Sequence, residues 1–104
     1  MLLDEKDADI TRNLRLIEWL QAELVGSMAI LFRSMIRGSK DLILDALAGI
    51  IVTCYVLGKR LGLTFNRLDI KMEDKLTELI NDNHEMEKQS GDLSALLDYY
   101  RNRK

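Results

Sequence analysis

The stretch that decides the fold is residues 40–62, KDLILDALAGIIVTCYVLGKRLG. Its apolar side chains point in every direction around a helix, and a helix that is apolar all round is buried all round. Two neighbouring helices shield about half to two thirds of its circumference, and a large apolar patch is rare on soluble monomers. A chain of 104 residues forms one hydrophobic core and has little further surface with which to cover the rest of this helix. We therefore expect a second copy of the chain to cover the helix.

The rest of the sequence also indicates helices. Proline is absent, strand alternation appears nowhere, and apolar residues recur at three- and four-residue spacing. The pattern predicts helices over residues 10–36, 40–61 and 65–88, and a short last helix around residues 93–100. Ser39 suits the start of the second helix, and Gly62 suits its end. The first helix is predicted to carry one apolar stripe, formed by Leu14, Ile17, Leu20, Leu24, Met28, Leu31 and Met35.

The connection between the first two helices is short. Gly38 and Ser39 form it, so the two helices are expected to be antiparallel neighbours. With the uncovered second helix, this predicts an all-α fold whose four-helix bundle core is completed by a second copy. A homodimer and a homotetramer both satisfy the pattern. We predict a single domain over residues 1–104, with flexible ends at residues 1–9 and 101–104.

The charge and the composition of the chain limit the classes of partner that we expect. The chain has 15 basic and 17 acidic residues, and a net charge of -2 lacks the basic field that attracts proteins to nucleic acid. The apolar run of the second helix falls short of the roughly 20 residues of a membrane span, and Asp45 would cost about 3 kcal/mol in lipid. A lone Cys54 and an acidic N-terminus without an export signal favour a cytoplasmic location.

The position of Asp45 needs an explanation. It stands among apolar neighbours, where an unpaired carboxylate costs several kcal/mol. Asp41 lies one turn earlier on the same face, and Glu23 interrupts the apolar stripe of the first helix. Three neighbouring carboxylates repel one another, which predicts a cation, and Mg²⁺ prefers oxygen ligands. In the alternative interpretation, Asp41 serves the helix N-terminus while Asp45 and Glu23 pair with lysine or arginine.

Residues 45–63, DALAGIIVTCYVLGKRLGL, resemble the MazG-like family of all-α nucleoside triphosphate pyrophosphohydrolases. The resemblance covers roughly residues 17–79 and includes the Lys59-Arg60-Leu61-Gly62 end of the acid-bearing helix, followed by a helix with a lysine near its start. It implies helical subunits whose four-helix modules are completed by dimerisation. It also implies Mg²⁺-dependent cleavage of a nucleotide to the monophosphate and pyrophosphate.

The acidic motifs of that family are depleted in this chain. The Glu-Glu-x-x-Glu motif of the first helix falls on Ala22, Glu23 and Gly26, and the Glu-x-x-Asp motif of the second falls on Ala46 and Gly49. Asp45 is one residue before the expected glutamate, a shift of about 100° around a helix.

The acid cluster and the resemblance together give a candidate site of eight residues. The candidate catalytic residues are Glu23 and Asp45, and the candidate metal ligands for Mg²⁺ are Glu23, Asp45, Asp41 and Glu18. The candidate substrate-binding residues are Lys59, Arg60, Lys71 and Trp19. Two functions remain open: a Mg²⁺-dependent pyrophosphohydrolase or binding protein for a nucleoside triphosphate, and a catalytically inactive helical homo-oligomer that acts as a binding or regulatory module.

Overall fold

The computed structural model describes residues 5–103, and every regular element in that range is an α-helix, which confirms the predicted all-α class. The helices are α1 (Glu5–Arg37), α2 (Lys40–Arg60), α3 (Phe65–Asn81), α4 (Glu85–Ser90) and α5 (Asp92–Asn102). Contacts within the chain group it into two compact units, residues 1–64 and residues 65–104, where the sequence predicted one domain.

The first helix is longer than predicted. It begins at Glu5 instead of residue 10, and Glu5 and Asp7 lie in its first turn, where negative charge stabilises a helix. Residues 5–9 and 101–102, which were predicted to be flexible, are helical. Residues 1–4 and 104 of the predicted flexible ends lie outside the described residues.

In the first unit, α1 and α2 form an antiparallel hairpin. Gly38 makes the turn with a φ of +71°, a conformation that glycine adopts without steric cost. Ser39 caps α2, and its Oγ accepts a hydrogen bond from the backbone N–H of Leu42 at 3.4 Å. The predicted start of α2 is confirmed, and its end is confirmed to within one residue.

The two helices meet along a seam whose residues alternate at spacings of three and four, as in a two-stranded coiled coil. The seam residues of α1 are Asn13, Ile17, Leu20, Leu24, Ser27, Leu31 and Ser34. The seam residues of α2 are Ser39, Ile43, Ala46, Ile50, Thr53, Leu57 and Arg60. Several of them are small, and a Cβ at Gly49 would lie only 3.9 Å from the Oγ of Ser27. The backbones of α1 and α2 therefore approach closely.

The predicted apolar stripe of α1 is only partly covered within the chain. Ile17, Leu20, Leu24 and Leu31 lie in the seam. Leu14, Met28 and Met35 each follow a seam residue by one position and are exposed at 55%, 44% and 57%. Together the seven residues cover about 100° of the helix circumference, and α2 covers only the part of that stripe nearest to it.

The third helix ends seven residues earlier than predicted. It stops at Asn81, and Asn83 adopts a positive φ of 61° before α4 begins at Glu85. The sequence between them is rich in short polar side chains that bond to the nearby backbone and so interrupt helices. His84 caps α4 through its Nδ1, which accepts a hydrogen bond from the N–H of Met86 at 3.1 Å.

The second unit packs α3 against α5. Leu76, Leu97 and Tyr100 are its buried residues. The hydroxyl of Tyr100 donates to Sδ of Met72 at 3.8 Å, which ties α5 to α3. The guanidinium of Arg103 lies 4.6 Å from the centre of the Tyr100 ring, within range of a cation–π interaction.

Glu87 of α4 caps the start of α5. Gly91 precedes α5 and has no side chain with which to cap it, and the carboxylate of Glu87 accepts instead from the N–H and the hydroxyl of Ser94. These two hydrogen bonds, the one from the side chain first, lower the pKa of Glu87 below its ordinary value of 4.5. The contact links α4 and α5 through a single charged group.

We predict that Glu87→Gln lowers the melting temperature at neutral pH. Because the pKa of Glu87 is lower in the folded state, its stabilisation is complete above about pH 4.5 and is lost as the pH falls through the folded-state pKa. Melting temperatures followed by circular dichroism should therefore converge for the two proteins as the pH falls through the folded-state pKa of Glu87. Glu78→Gln on the exposed surface of α3 is the control. A difference that persists unchanged at low pH would contradict this account.

We predict opposite effects for alanine at two glycines of the first unit. Gly26 lies inside α1 and a Cβ there meets nothing within 4 Å, so Gly26→Ala should stabilise by about 1 kcal/mol. Gly38→Ala should destabilise by about 1 kcal/mol, because φ is +71° at the turn. Urea unfolding measures both changes. Two shifts of the same sign would show that the turn is not as described.

Candidate functional site

The surface of the hairpin divides into two faces, one on each side of the seam. To describe the two faces, we take every seventh residue of the seam as a reference position. These residues are Asn13, Leu20, Ser27 and Ser34 on α1, and Ser39, Ala46, Thr53 and Arg60 on α2. Side chains one and five positions after a reference residue lie on one side of both helices, because the two right-handed helices are antiparallel. Side chains three and six positions after a reference residue lie on the other side.

The first of these sides, the apolar face, is almost free of charge. Its charged residues are Glu18 and Lys40. Eight large apolar side chains are exposed on it: Leu14, Val25, Met28, Phe32, Met35, Leu44, Leu47 and Ile51. The opposite side, the mixed face, combines exposed apolar residues such as Trp19 and Val52 with five charged residues. These charged residues are Glu23, Arg33, Arg37, Asp45 and Lys59.

Half of the predicted site residues share the mixed face. They are Trp19, Glu23, Asp45 and Lys59, and all four are exposed. The other four are dispersed. Glu18 lies on the apolar face, Asp41 lies on the outer side of α2 away from the seam, Arg60 is in the seam, and Lys71 is an exposed residue of α3 in the second unit.

Arg60 has a structural contact in the first unit. Its backbone carbonyl accepts a hydrogen bond from Nδ2 of Asn13 at 3.1 Å, which joins the end of α2 to α1. Together with the backbone hydrogen bond from Ser39 to Ser34 at the turn, this contact fixes the alignment of the two helices.

That alignment keeps the predicted acid cluster apart within one chain. Glu23 is level with residues 50–53 of α2, so Asp45 lies about 8 to 12 Å away along the helix axis. Residues 5–103 contain no group of three or more histidine, cysteine or acidic side chains placed to hold a metal ion. This separation was not predicted. The sequence indicates that the two acids are on facing helices, but it does not show their relative positions along the helix axis.

The carboxylates of one chain therefore do not fit a Mg²⁺ ion held by protein ligands alone. Asp41 and Asp45 are one turn apart on α2, and Glu23 and Glu18 point to opposite faces of α1. A Mg²⁺ ion that binds together with phosphate needs only one or two carboxylates, because phosphate oxygens and water complete its six ligands. Only that kind of site agrees with the arrangement of the acids.

A cationic pocket on the mixed face was not found by sequence reasoning. It has a volume of about 250 Å³ and lies near the hairpin turn, and its lining residues are Ile30, Arg33, Ser34, Arg37 and Leu42. Arg33 and Arg37 are one helical turn apart and form no ion pair with any residue in the described range. The signal in the sequence was their four-residue spacing just before the N-terminus of α2, which also favours an anion.

Helix α2 also has the length and apolar composition of a membrane span. It comprises 21 residues, and 6% of its most apolar window is buried inside the chain. The prediction that this segment is too short for a membrane span counted only its apolar run. The whole helix is long enough, and the prediction is corrected in this respect. Core helices of soluble proteins pass the same test, so length and composition do not decide between the two.

Comparison with protein families gives a match over most of the chain. The model of the MazG-like family matches residues 10–93. A search of curated proteins and a search of solved structures found no match. The matched range includes the whole of the α1–α2 seam, both of its faces, and α3 and α4.

Proposed function

The chain belongs to the MazG-like family, and on this premise we propose that it binds a nucleoside triphosphate with Mg²⁺ and cleaves it as a pyrophosphohydrolase. The family match over residues 10–93 is the observation that carries the proposal. It agrees with the resemblance found at residues 45–63. The activity, the metal and the eight assigned residues are predictions that follow from it.

The mixed face is the surface that supports this proposal best. Arg33 and Arg37 supply two cations around a pocket of about 250 Å³, and arginine binds phosphate oxygens through paired N–H groups. Trp19 and Lys59 are exposed on the same face but lie about 20 to 25 Å along the helix axis from this pocket, too far for Lys59 to contact phosphates bound there. The phosphates would thus lie toward the hairpin turn.

The carboxylates have a defined place relative to this pocket. Asp45 is level with residues 28–31 of α1, on the same face as Ile30 of the pocket wall, and Glu23 lies further from the turn. Asp45 is therefore the mixed-face acid best placed to hold Mg²⁺ that arrives with the phosphates. Mg²⁺, when bound, would supply positive charge to the phosphate oxygens and polarise a water molecule.

A second candidate function is supported by the residues in the seam. Ala46 is 5% exposed, and Gly49 lies against Ser27, so both positions serve helix packing. These are the two positions of the second helix at which the resemblance expects acidic residues. An acid there would be buried against α1, where an unpaired carboxylate is costly. A helical homo-oligomer that binds a partner without hydrolysis agrees with this use of the two positions.

Calorimetric titration tests the first proposal. We predict that a nonhydrolysable nucleoside triphosphate binds in the presence of Mg²⁺, and that Asp45→Asn and Arg33→Gln each weaken binding about tenfold or more, because each removes a charge that faces the phosphates or the metal. Glu23→Gln should have a smaller effect, since Glu23 lies further from the pocket. Asp98→Asn, at an exposed position of α5, is the matched control and should bind like the wild type.

Two further readouts separate the candidate functions. Release of pyrophosphate that is lost in Asp45→Asn would establish the enzyme. Binding without release would favour the binding module. Absence of binding at millimolar Mg²⁺, in a protein whose circular dichroism shows intact helices, would reject the nucleotide site on the mixed face altogether.

A further inference from the structure

We infer that the turn end of the α1–α2 hairpin binds the surface of a membrane that contains anionic lipids, with Ile36 inserted between the headgroups and basic side chains around it. The turn end comprises residues 29–44, the last turns of α1 and the first turns of α2, which reach the same height along the hairpin. The inference rests on exposure and charge in the first unit and does not depend on the proposed function. It concerns contact with a membrane surface, whereas the length of α2 concerns a complete span.

The first argument is the distribution of charge. Residues 29–44 contain three basic side chains, Arg33, Arg37 and Lys40, and one acidic side chain, Asp41. The turn end thus has a net charge of +2, although the whole chain has a net charge of -2, so the rest of the sequence carries -4. The three basic residues are exposed and form no ion pair within the described range. An anionic surface therefore attracts this end of the hairpin more than any other part of the chain.

The second argument is the exposure of Ile36. Its side chain is 86% exposed, the largest fraction among the large apolar residues of the described range. Ile36 lies two positions after the reference residue Ser34, on the outer side of α1, so a partner on the apolar face or a ligand on the mixed face would leave it uncovered. Met35 and Leu42 at the same end are 57% and 45% exposed. These apolar groups are removed from water together only by a partner that covers the end of the hairpin.

The third argument is the arrangement of side chains around the turn end, which favours a lipid surface as the partner. Basic and apolar residues occur together on each side of it: Lys40 and Met35 toward the apolar face, Arg37 and Leu42 toward the mixed face, with Ile36 outside both. Binding to a membrane surface combines buried apolar area with attraction between basic residues and anionic lipids. Lysine and arginine have long aliphatic stems, so their charged groups reach the headgroups while Ile36 enters the acyl region.

The fourth argument is the pocket between the basic residues. The pocket of about 250 Å³ at the turn has cationic walls at Arg33 and Arg37 and apolar walls at Ile30 and Leu42. This combination matches a phospholipid, in which a phosphate is joined to hydrocarbon chains, because arginine binds phosphate oxygens through paired N–H groups. The phosphates of a lipid and of a free nucleotide share this chemistry. The binding experiments with vesicles are therefore made without nucleotide.

Co-sedimentation with vesicles tests the inference. The full chain should bind vesicles of equimolar phosphatidylglycerol and phosphatidylcholine but not vesicles of phosphatidylcholine alone, and binding should weaken strongly at about 1 M salt, which screens exposed charges. Ile36→Ser should weaken binding roughly tenfold or more, because it removes the inserted apolar group. Leu61→Ser is the matched control, since Leu61 is 58% exposed at the opposite end of the hairpin, and it should bind like the wild type. Ile36 does not line the pocket, so Ile36→Ser should leave nucleotide binding unchanged.

A fluorescence experiment reports insertion itself. In a Cys54→Ser background, Ile36→Cys that carries an environment-sensitive dye should shift its emission to shorter wavelength when anionic vesicles are added, and Leu61→Cys with the same dye should not. Arg37→Gln and Lys40→Gln should each weaken vesicle binding about fivefold. No binding to anionic vesicles, or equal binding by the wild type and Ile36→Ser, would overturn the inference. Salt-independent binding to phosphatidylcholine alone would overturn it as well, by indicating a span through α2.

Discussion

Small side chains in the seam between α1 and α2 constrain the rest of the first unit, and they occupy five of the eight reference positions: Ser27, Ser34, Ser39, Ala46 and Thr53. Ser27 and Gly49 approach within van der Waals distance of each other, and Ala46 and Ser34 are almost fully buried. Large side chains such as Phe32 and Leu44 lie outside the seam, although Ile17, Leu20 and Ile43 pack within it. One hairpin therefore leaves much of its apolar surface exposed to water.

The two outer faces of the hairpin suit different roles. The apolar face has the exposed apolar residues and the lack of charge of an interface, whereas the mixed face combines a cationic pocket, an exposed Trp19 and the separated acids Glu23 and Asp45. A second copy on one face leaves the other free for a ligand. Membership in the MazG-like family gives the mixed face a chemical interpretation, and the chain departs from the acidic pattern that the resemblance implies at Ala22, Gly26, Ala46 and Gly49.

Much of the fold could be predicted from sequence because local signals determine it. The apolar run of α2, the Ser39 cap and the turn at Gly38 each act over a few residues, and all three are present in the structure. The division of α1 into a seam and an apolar face was missed, because one stripe of the apolar face follows the seam residues by only one position in each seven-residue repeat. The break at Asn83 was not predicted, because the short polar side chains there were interpreted as the solvent-exposed surface of a continuing helix. The height of Glu23 relative to Asp45 depends on the alignment of two helices, which no local signal in the sequence reports.

The central claim is that a second copy covers the apolar face, as the sequence and the family resemblance predict. Its most direct test is an isotope-filtered nuclear Overhauser experiment on a mixture of labelled and unlabelled protein, because it detects only contacts between copies. The account predicts contacts between copies from the methyl groups of Met28, Leu47 and Ile51, and none from Trp19 or Val52. Contacts from Trp19 or Val52, or no contacts between copies at a concentration at which the hairpin is folded, would contradict the claim that the apolar face completes the core.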